Sequence, residues 1–478
     1  MKENSINRRT FLKSTAFVGA AGMVGTGSVL TSCSGNAASD GKIVYTPLKA
    51  EGTYYSPELP DTTTPGRALK AGVIGCGGRG SGAAINWLNT GEGVTITALG
   101  DTFKDRVDAL AASLKDKKNL DIPESSRFVG LDAYKQVIDS GVDVVLIATP
   151  PNFRPIHFQY ATEKGKHSFL EKPVFVDPLG YRMVIATARQ AQSKNLCVIT
   201  GTQRRHQRSY VESHKQVMNG LIGEITGGVV WWNGGKLWHR DRLPGQSDLE
   251  CMIRDWVNWT WLSGDHIVEQ HVHNLDVFSW FSDLKPVKAV GMGSRQRRVT
   301  GDQFDNFSID FTMENGIHLH SMCRQIDGCA GNVSEFIQGT KGSWCTTGGK
   351  TEIKDLKGNV IWSYDREAEK ENFKQTDPYT LELVSFVNLI RAGKSIDQAS
   401  EIAIPNMAAV MGRESAYTGK ETTWEAMTAL SDERGDLMPK DISLTGKMNM
   451  LGFVVPVAGN AYVPRDPNAP RPQRPART

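Results

Sequence analysis

Glu269 and His273 stand four residues apart, so on a helix they share one face, one turn apart. A carboxylate beside an imidazole raises its basicity, and accepting the proton of an alcohol requires a basic imidazole. His266, three before Glu269, falls on the same face, whereas His271 points elsewhere. The bland alternative is a polar pair capping a helix over a core. The cluster also invites a metal reading, because helical ligand pairs use i, i+4 spacing. His266, Glu269, His271 and His273 do not reproduce a known ligand pattern, so no metal is expected.

A second run able to do chemistry is Gly75-Cys76-Gly77-Gly78-Arg79-Gly80. Gly75 permits a tight turn, Gly77 lets the backbone approach a pyrophosphate, and Gly80 lets helix and strand pack closely. Gly78 and Arg79 share that loop and are further candidates for contact. The free N–H groups and dipole of the following helix favour the negative charge.

Such a loop needs a strand before it and a helix after it. Ala68–Ile74 reads as the strand and Ser81–Leu88 as the helix. A second apolar strand, Val94–Leu99, ends at Gly100-Asp101, 21 residues past Gly80. A carboxylate there can grip the ribose hydroxyls of a dinucleotide; otherwise Asp101 caps the next helix. An acid repels a 2′-phosphate, which favours NAD over NADP, although Lys104 and Arg106 follow closely. A third strand, Val142–Ala148, is a continuous apolar run, as a buried parallel strand must be. It ends in Thr149-Pro150-Pro151-Asn152, and ligands of open α/β sheets bind outside such strand ends. Thr149 and Asn152 are therefore candidates, and His157 is either a cofactor neighbour or a plain helix residue.

The glycine-rich strand-turn-helix, the strand ending Ala148-Thr149-Pro150, then Gly165-Lys166-His167 and Glu171-Lys172-Pro173 together resemble the Gfo/Idh/MocA oxidoreductases. The resemblance spans roughly residues 67–430. It implies an α/β protein with an N-terminal Rossmann domain, a doubly wound parallel sheet, at 67–200. A C-terminal α/β domain with a mostly antiparallel sheet follows at 201–440. It also implies a sugar or polyol dehydrogenase that uses NAD. By the same resemblance Glu171 and Lys172 lie at the cofactor, with Lys172 beside the nicotinamide and the reacting hydroxyl. Glu269 takes the family's acid position, more often Asp, and His273 takes its histidine. Gln203 and Arg204, where the first domain hands over to the second, approach the substrate; a solvated basic patch is the alternative. The second domain's sheet implies a homo-oligomer.

Alternating segments at Gly227–Trp232, Phe307–Phe311, His318–Cys323 and Val333–Gln338 predict that sheet. Tyr379–Arg391 and Ile404–Tyr417 read as helices closing the second domain. Six of the eleven tryptophans lie between residues 231 and 261. Sugars stack their C–H faces on aromatics, so the cluster beside Glu269 and His273 favours a small carbohydrate, with Trp238 a candidate contact. Any single tryptophan reads more readily as core or interface.

The 478 residues, 39% hydrophobic and 22% charged, have ordinary globular composition, which excludes disorder throughout and a long coiled coil. The length suits two or three domains. The net charge of +3 resides at the ends. Lys2, Arg8, Arg9 and Lys13 oppose Glu3, and Arg465, Arg471, Arg474 and Arg477 oppose Asp466. The body between is slightly acidic, which disfavours nucleic acid as a partner. Seven cysteines without a Cys-x-x-Cys pair argue against structural zinc and thioredoxin-like chemistry; Cys323 and Cys329 could pair after export.

Asn7-Arg8-Arg9-Thr10-Phe11-Leu12-Lys13, ahead of a mild apolar stretch, resembles a twin-arginine export signal; an ordinary signal peptide is the alternative. Leu30-Thr31-Ser32-Cys33 resembles a lipobox, in which a lipidated Cys33 would anchor a periplasmic protein to the membrane. Residues 1–35 are thus read as an address, 36–66 as an extended arm and the Pro/Arg-rich 459–478 as a tail. The twin-arginine route moves folded proteins, which suits a chain that loads its cofactor before export.

Two functions follow. The first is an NAD-dependent oxidoreductase acting on a ring hydroxyl of a sugar or glycoside. His273 takes the hydroxyl proton, Lys172 stabilises developing oxygen charge, and Glu269 orients or tunes His273. The alternative is an NAD-dependent glycosidase of the family 109 type, with transient C3 oxidation, elimination, hydration and reduction.

Overall fold

The apolar run Leu69–Ile74 forms strand β1, buried at every residue but Lys70. Around it a six-stranded parallel sheet assembles from β2 (Val94–Asp101), β3 (Arg127–Val129), β4 (Val144–Ile147), β5 (His167–Leu170) and β6 (Val198–Thr200). The order is β3-β2-β1-β4-β5-β6, that of a doubly wound dinucleotide fold. Helices α1 (Gly78–Leu88), α2 (Lys104–Lys118), α3 (Ala133–Asp139), α4 (Arg154–Glu163) and α5 (Pro178–Ser193) join the strands. Every residue of β4 is buried, because helices cover both faces of such a sheet. The start of α5 shows the local logic: the Asp177 carboxylate accepts the Gly180 N–H, and Pro178 occupies the first turn, where its missing donor costs nothing. The computed structural model describes residues 45–430, 435–440, 442–445, 447–448 and 453–459. The signal expected at 1–35, with Cys33, and the tail from residue 460 lie outside the described residues.

The second half adds helix α6 (Arg208–Met218), strand β7 (Ile225–Gly234) and helices α7 (Asp248–Arg254), α8 (Thr260–Ser263), α9 (His266–Glu269) and α10 (Val272–Ser282). Strands β8 (Pro286–Ser294), β9 (Asn306–Met313), β10 (His318–Gln325), β11 (Asn332–Gly339), β12 (Gly342–Thr347), β13 (Lys350–Asp355) and β14 (Val360–Ser363) follow. Helices α11 (Arg366–Asn372), α12 (Pro378–Arg391) and α13 (Gln398–Thr418), strand β15 (Thr422–Thr423) and helix α14 (Trp424–Ala429) complete it. The nine strands order as β14-β13-β12-β11-β7-β10-β9-β8-β15. All pairs are antiparallel except β7 with β10. Along β9 burial alternates residue by residue, with Phe307, Ile309, Phe311 and Met313 inward, the period-2 signature of a half-covered sheet.

Three expectations need correction. Helix α12 does not close the second half. Its Leu383, Phe386, Val387 and Ile390 join the core of Leu69, Val73 and Leu146, with the Phe386 ring 6.5 Å from Trp87. The amide of Asn86 on α1 donates to Asp377 and Thr380 at the start of α12, so the chain returns to cover a face the first domain cannot cover itself. The helix expected from Ile404 begins at Gln398 and carries Pro405 inside it. Cys323 is buried, Cys329 is exposed, and both are free. The arm has no helix or strand from residue 45 to residue 66. It nevertheless ties down through Tyr55 to His206 and through Asp61 to Arg208.

Four histidines are buried and held neutral. His157, His206, His214 and His271 are each pushed down to about 3, chiefly by burial. Unfolded imidazoles titrate near 6.5, so below that pH the unfolded chain binds protons the folded chain refuses. Stability is fully present above about pH 6.5 and is lost as pH falls, by about 1.4 kcal/mol per unit per histidine. Asp302, raised to about 6 by burial, works in the opposite direction between about pH 4 and 6. The thermal midpoint is expected to fall steadily from pH 7 to pH 5; a flat midpoint over that range would contradict the neutral, buried assignment.

Candidate active site

The glycine loop leaves β1 at Gly75, where φ is +91°. A Cβ on Gly80 would lie 1.8 Å from the Gly75 carbonyl oxygen, so only glycine lets α1 pack there. At Gly77 and Gly78 the reverse holds, since a Cβ would meet nothing within 4 Å. Helix α1 also starts without a side-chain cap. The result is an open cradle of backbone at a helix N-terminus, which fits a dinucleotide pyrophosphate.

Asp101 ends β2 beside this cradle. Its carboxylate accepts the N–H of Cys76 at 2.7 Å and of Phe103 at 3.0 Å, and burial pushes its pKa up. It therefore braces the loop from which it would reach a ribose. Replacing Asp101 with Ala is expected to weaken NAD by about 2–4 kcal/mol, two charge-assisted hydrogen bonds, and NADP by less. Fluorescence titration with both dinucleotides measures this; unchanged affinity would reduce Asp101 to a loop brace.

At the end of β4, Thr149 Oγ1 lies 3.1 Å from His157 Nδ1. The His157 ring is sandwiched against Tyr134 and Phe153, so it supports Thr149 from inside the core. Asn152 is buried, and its amide nitrogen has no partner, a donor left over for a ligand. Glu171, expected at the cofactor, is turned inward. It takes the Arg79 guanidinium on one oxygen and the Lys172 N–H on the other at 3.2 Å. Gly201 makes room for it, since a Cβ there would approach the carboxylate to 2.6 Å. Arg79 also faces Glu382 at 3.8 Å and lies 4.5 Å over the Tyr379 ring.

Lys172 crosses to the second half. Its Nζ donates to the carbonyl of Glu269 and, at 3.0 Å, to the Glu269 carboxylate. Both side chains are 13% exposed. The single helix expected for Glu269 and His273 is broken: α9 ends at Glu269 and α10 starts at Val272. Between them the His271 N–H reaches back five residues to His266 and the His273 N–H only three to Gln270. The kink accompanies His271 turning inward, where its Nε2 bonds the Ser321 hydroxyl at 2.7 Å. As a result no hydrogen bond joins Glu269 to His273. The ring of His273 instead stacks on Trp232, with centroids 5.7 Å apart. Its pKa lies well below the usual value, through burial and the charges of Lys172, Arg204 and Arg79. The expected rise in basicity is thus reversed, because the carboxylate pairs with Lys172 and the cations face the imidazole.

Arg204 was expected to face the substrate but is committed to Glu335, with Trp232 and Tyr210 rings below it at 5.6 and 5.7 Å. It forms the wall behind His273. Gln203 is half-buried, with its carbonyl oxygen unpartnered. Trp238 is 45% exposed on the loop after β7, packed edge-on to Trp256. Two residues of the site escape a sequence reading. Arg154 clamps the strand ends by donating to the carbonyls of Thr149, Glu171 and Pro173. Glu335 gathers Arg204, Tyr210 and Asn274; an acid in the same strand phase as the apolar Val333 and Ile337 was its available signal.

Residues 69–201 match the oxidoreductase family with an NAD-binding Rossmann fold, Gfo/Idh/MocA. A glycosyl hydrolase family 109 protein of Streptomyces coelicolor is 27% identical over 226 residues, 47% of this chain and 44% of that protein. The scyllo-inositol 2-dehydrogenase (NAD(+)) of Bacillus subtilis is 26% identical over 207 residues, 43% and 57% of the two chains. The chain spans about half the length of these curated relatives. Among solved structures, aldose-aldose oxidoreductase of Caulobacter crescentus superposes with a TM-score of 0.59 at 16% identity, over 75% of this chain and 100% of that one. Myo-inositol 2-dehydrogenase of Lactobacillus plantarum gives 0.55 at 20%, over 75% and 99%. At such identity these two establish the shared fold. With the glycine loop, the strand order and these matches together, residues 69–201 form an NAD-binding Rossmann domain of the Gfo/Idh/MocA type.

Proposed function

We propose that the protein is an NAD-dependent oxidoreductase that removes hydride from a ring hydroxyl of a sugar or glycoside. The observation that carries this is the Lys172 ammonium, held by Glu269 beside a neutral His273 at the strand ends that form the dinucleotide cradle. Bound NAD supplies the hydride acceptor. The neutral imidazole of His273 has a lone pair for the hydroxyl proton. Lys172 stabilises the charge that develops on that oxygen, and Arg204 and Arg79 add to the same field. Trp232 fixes the plane of the imidazole, and Glu269 fixes the ammonium. Asp101 supports NAD as the cofactor in preference to NADP.

A second reading is favoured by the names of the family 109 relatives: a glycosidase in which the oxidation is transient and the net reaction is hydrolysis. Incubation with a glycoside panel, following NADH absorbance and aglycone release together, decides between them. NADH alone supports the oxidoreductase, aglycone alone the glycosidase, and neither overturns both.

Export by the twin-arginine route, with Cys33 lipidated, is part of the proposal and is supported by Arg8-Arg9 and the lipobox-like Leu30–Cys33. Retention of export after Arg8→Lys with Arg9→Lys would overturn it. The open face of the nine-stranded sheet exposes Val290 and Met292, which supports a homo-oligomer. On gel filtration the purified protein is expected to elute above the size of one chain and to carry NAD. Denaturing the peak and assaying the released dinucleotide tests retention, and negligible occupancy would count against it.

A further inference from the structure

A cavity of 280 Å³ is lined by Lys236, His239, Asn258, Arg297, Arg298 and Gln325. Gln325 donates to the side chain of Gln270 at 2.7 Å, and Gln270 is the residue that follows Glu269. Its volume corresponds to about nine waters, room for one pyranose ring with its substituents. The Trp238 carbonyl accepts the amide of the lining residue Asn258 at 3.3 Å, while the Trp238 indole packs against Trp256 and Arg240.

The charges in this wall are poorly neutralised. The Arg298 side chain is 7% exposed, and its closest carboxylate, Asp265, stands 4.0 Å away. Arg298 donates to the Phe304 carbonyl, to Asn258 and to Gln325, which engages three of the five donors a guanidinium carries. Asp265 is itself occupied by His266, the Phe304 N–H and the Tyr417 hydroxyl. The Asp305 carboxylate is spent on the backbone N–H groups of Gln296, Arg297 and Arg298. The exposed Arg297 side chain has neither hydrogen bond nor ion pair among the described residues. Lys236 meets Asp327 only at 3.8 Å, at the surface. Three cations therefore face the cavity against one exposed acid.

We infer that this cavity recognises the acid group of an anionic pyranose, a uronic acid unit of the substrate, with Arg298 at the back and Arg297 and Lys236 at the mouth. A planar guanidinium matches a carboxylate with two parallel N–H bonds. A neutral sugar would use neither charge. The inference rests on the proposed function and names its substrate class.

The test is calorimetric titration of the full chain carrying NAD with methyl glucuronide, methyl glucoside and glucose 6-phosphate. The parent is compared with an Arg297→Gln, Lys236→Gln double variant, whose two side chains carry no packing role. The glucuronide is expected to bind on the order of tenfold more tightly than the glucoside. The double variant is expected to lose that advantage, and high salt is expected to erode the glucuronide alone. Equal binding of the two glycosides, or a double variant that keeps the preference, overturns the inference. Tighter binding of glucose 6-phosphate overturns the carboxylate assignment. If neutral glycosides are turned over and glucuronides are not, the inference fails and the proposed function stands. If the binding preference holds and disappears in the variant while no glycoside is turned over, the cavity assignment stands and the reading of the catalytic cluster fails.

Discussion

On the proposed oxidoreductase reading, replacing Lys172 with methionine is expected to slow hydride transfer from the sugar hydroxyl by about 10²–10⁴ with little change in folding. Methionine keeps much of the side-chain length and removes the ammonium that Glu269 holds at 3.0 Å. The pair is only partly buried, so the Glu269 carboxylate left behind can draw water and the fold loses little. His273→Asn is expected to give a similar loss, since asparagine has no basic nitrogen to take the proton. His273 already titrates far below its usual range. It is therefore in its proton-accepting form throughout the neutral range, and its own protonation is not expected to shape the rate profile there. Single-turnover absorbance of enzyme carrying NAD measures the step, and thermal midpoints of both variants check folding. If either variant turns over at close to the parental rate with NAD bound, the role given to that side chain is wrong. On the glycosidase reading aglycone release disappears in parallel.

Arg205→Met is expected to destabilise the fold by about 3–5 kcal/mol, the range for breaking a buried ion pair from one side. Arg205 donates to Asp276 from Nε at 3.0 and 3.1 Å and from Nη2 at 2.7 Å, and from Nη1 to Glu401 at 2.6 Å. Its side chain is 5% exposed and that of Asp276 is 1% exposed. Methionine would leave Asp276 as an uncompensated charge inside the protein. Arg205 lies just after β6, Asp276 on α10 and Glu401 on α13, so the same loss loosens the join between the two halves. Asp276→Leu added to Arg205→Met is expected to recover much of the stability, because the stranded charge is then gone. Thermal unfolding of parent, single and double variants checks this. A single variant within about 0.5 kcal/mol of the parent, the range of an ordinary surface substitution, would show that the triad contributes nothing.

The dinucleotide half was legible because its signals are local. A glycine that must turn, a glycine that must let a helix approach and four apolar residues in a row each follow from backbone sterics or burial within a few positions. The pattern therefore specified β1, α1, β2 and β4 and placed Asp101 at a strand end. Strand alternation likewise located β7, β9, β10 and β11, because a sheet with one covered face imposes a period of two. Partners brought from far along the chain are not local. The sequence placed Glu269 and His273 one helical turn apart. Tertiary structure decided that His271 turns inward to Ser321, which kinks the segment, hands Glu269 to Lys172 and leaves His273 among cations. Arg204 and Glu171 look like ligand contacts in sequence, yet the fold brings Glu335 and Arg79 against them. Spacing along an element restricts which side chains can share a face. Which opposite charge reaches a buried group first depends on how separate elements pack, and no short stretch of chain carries that information.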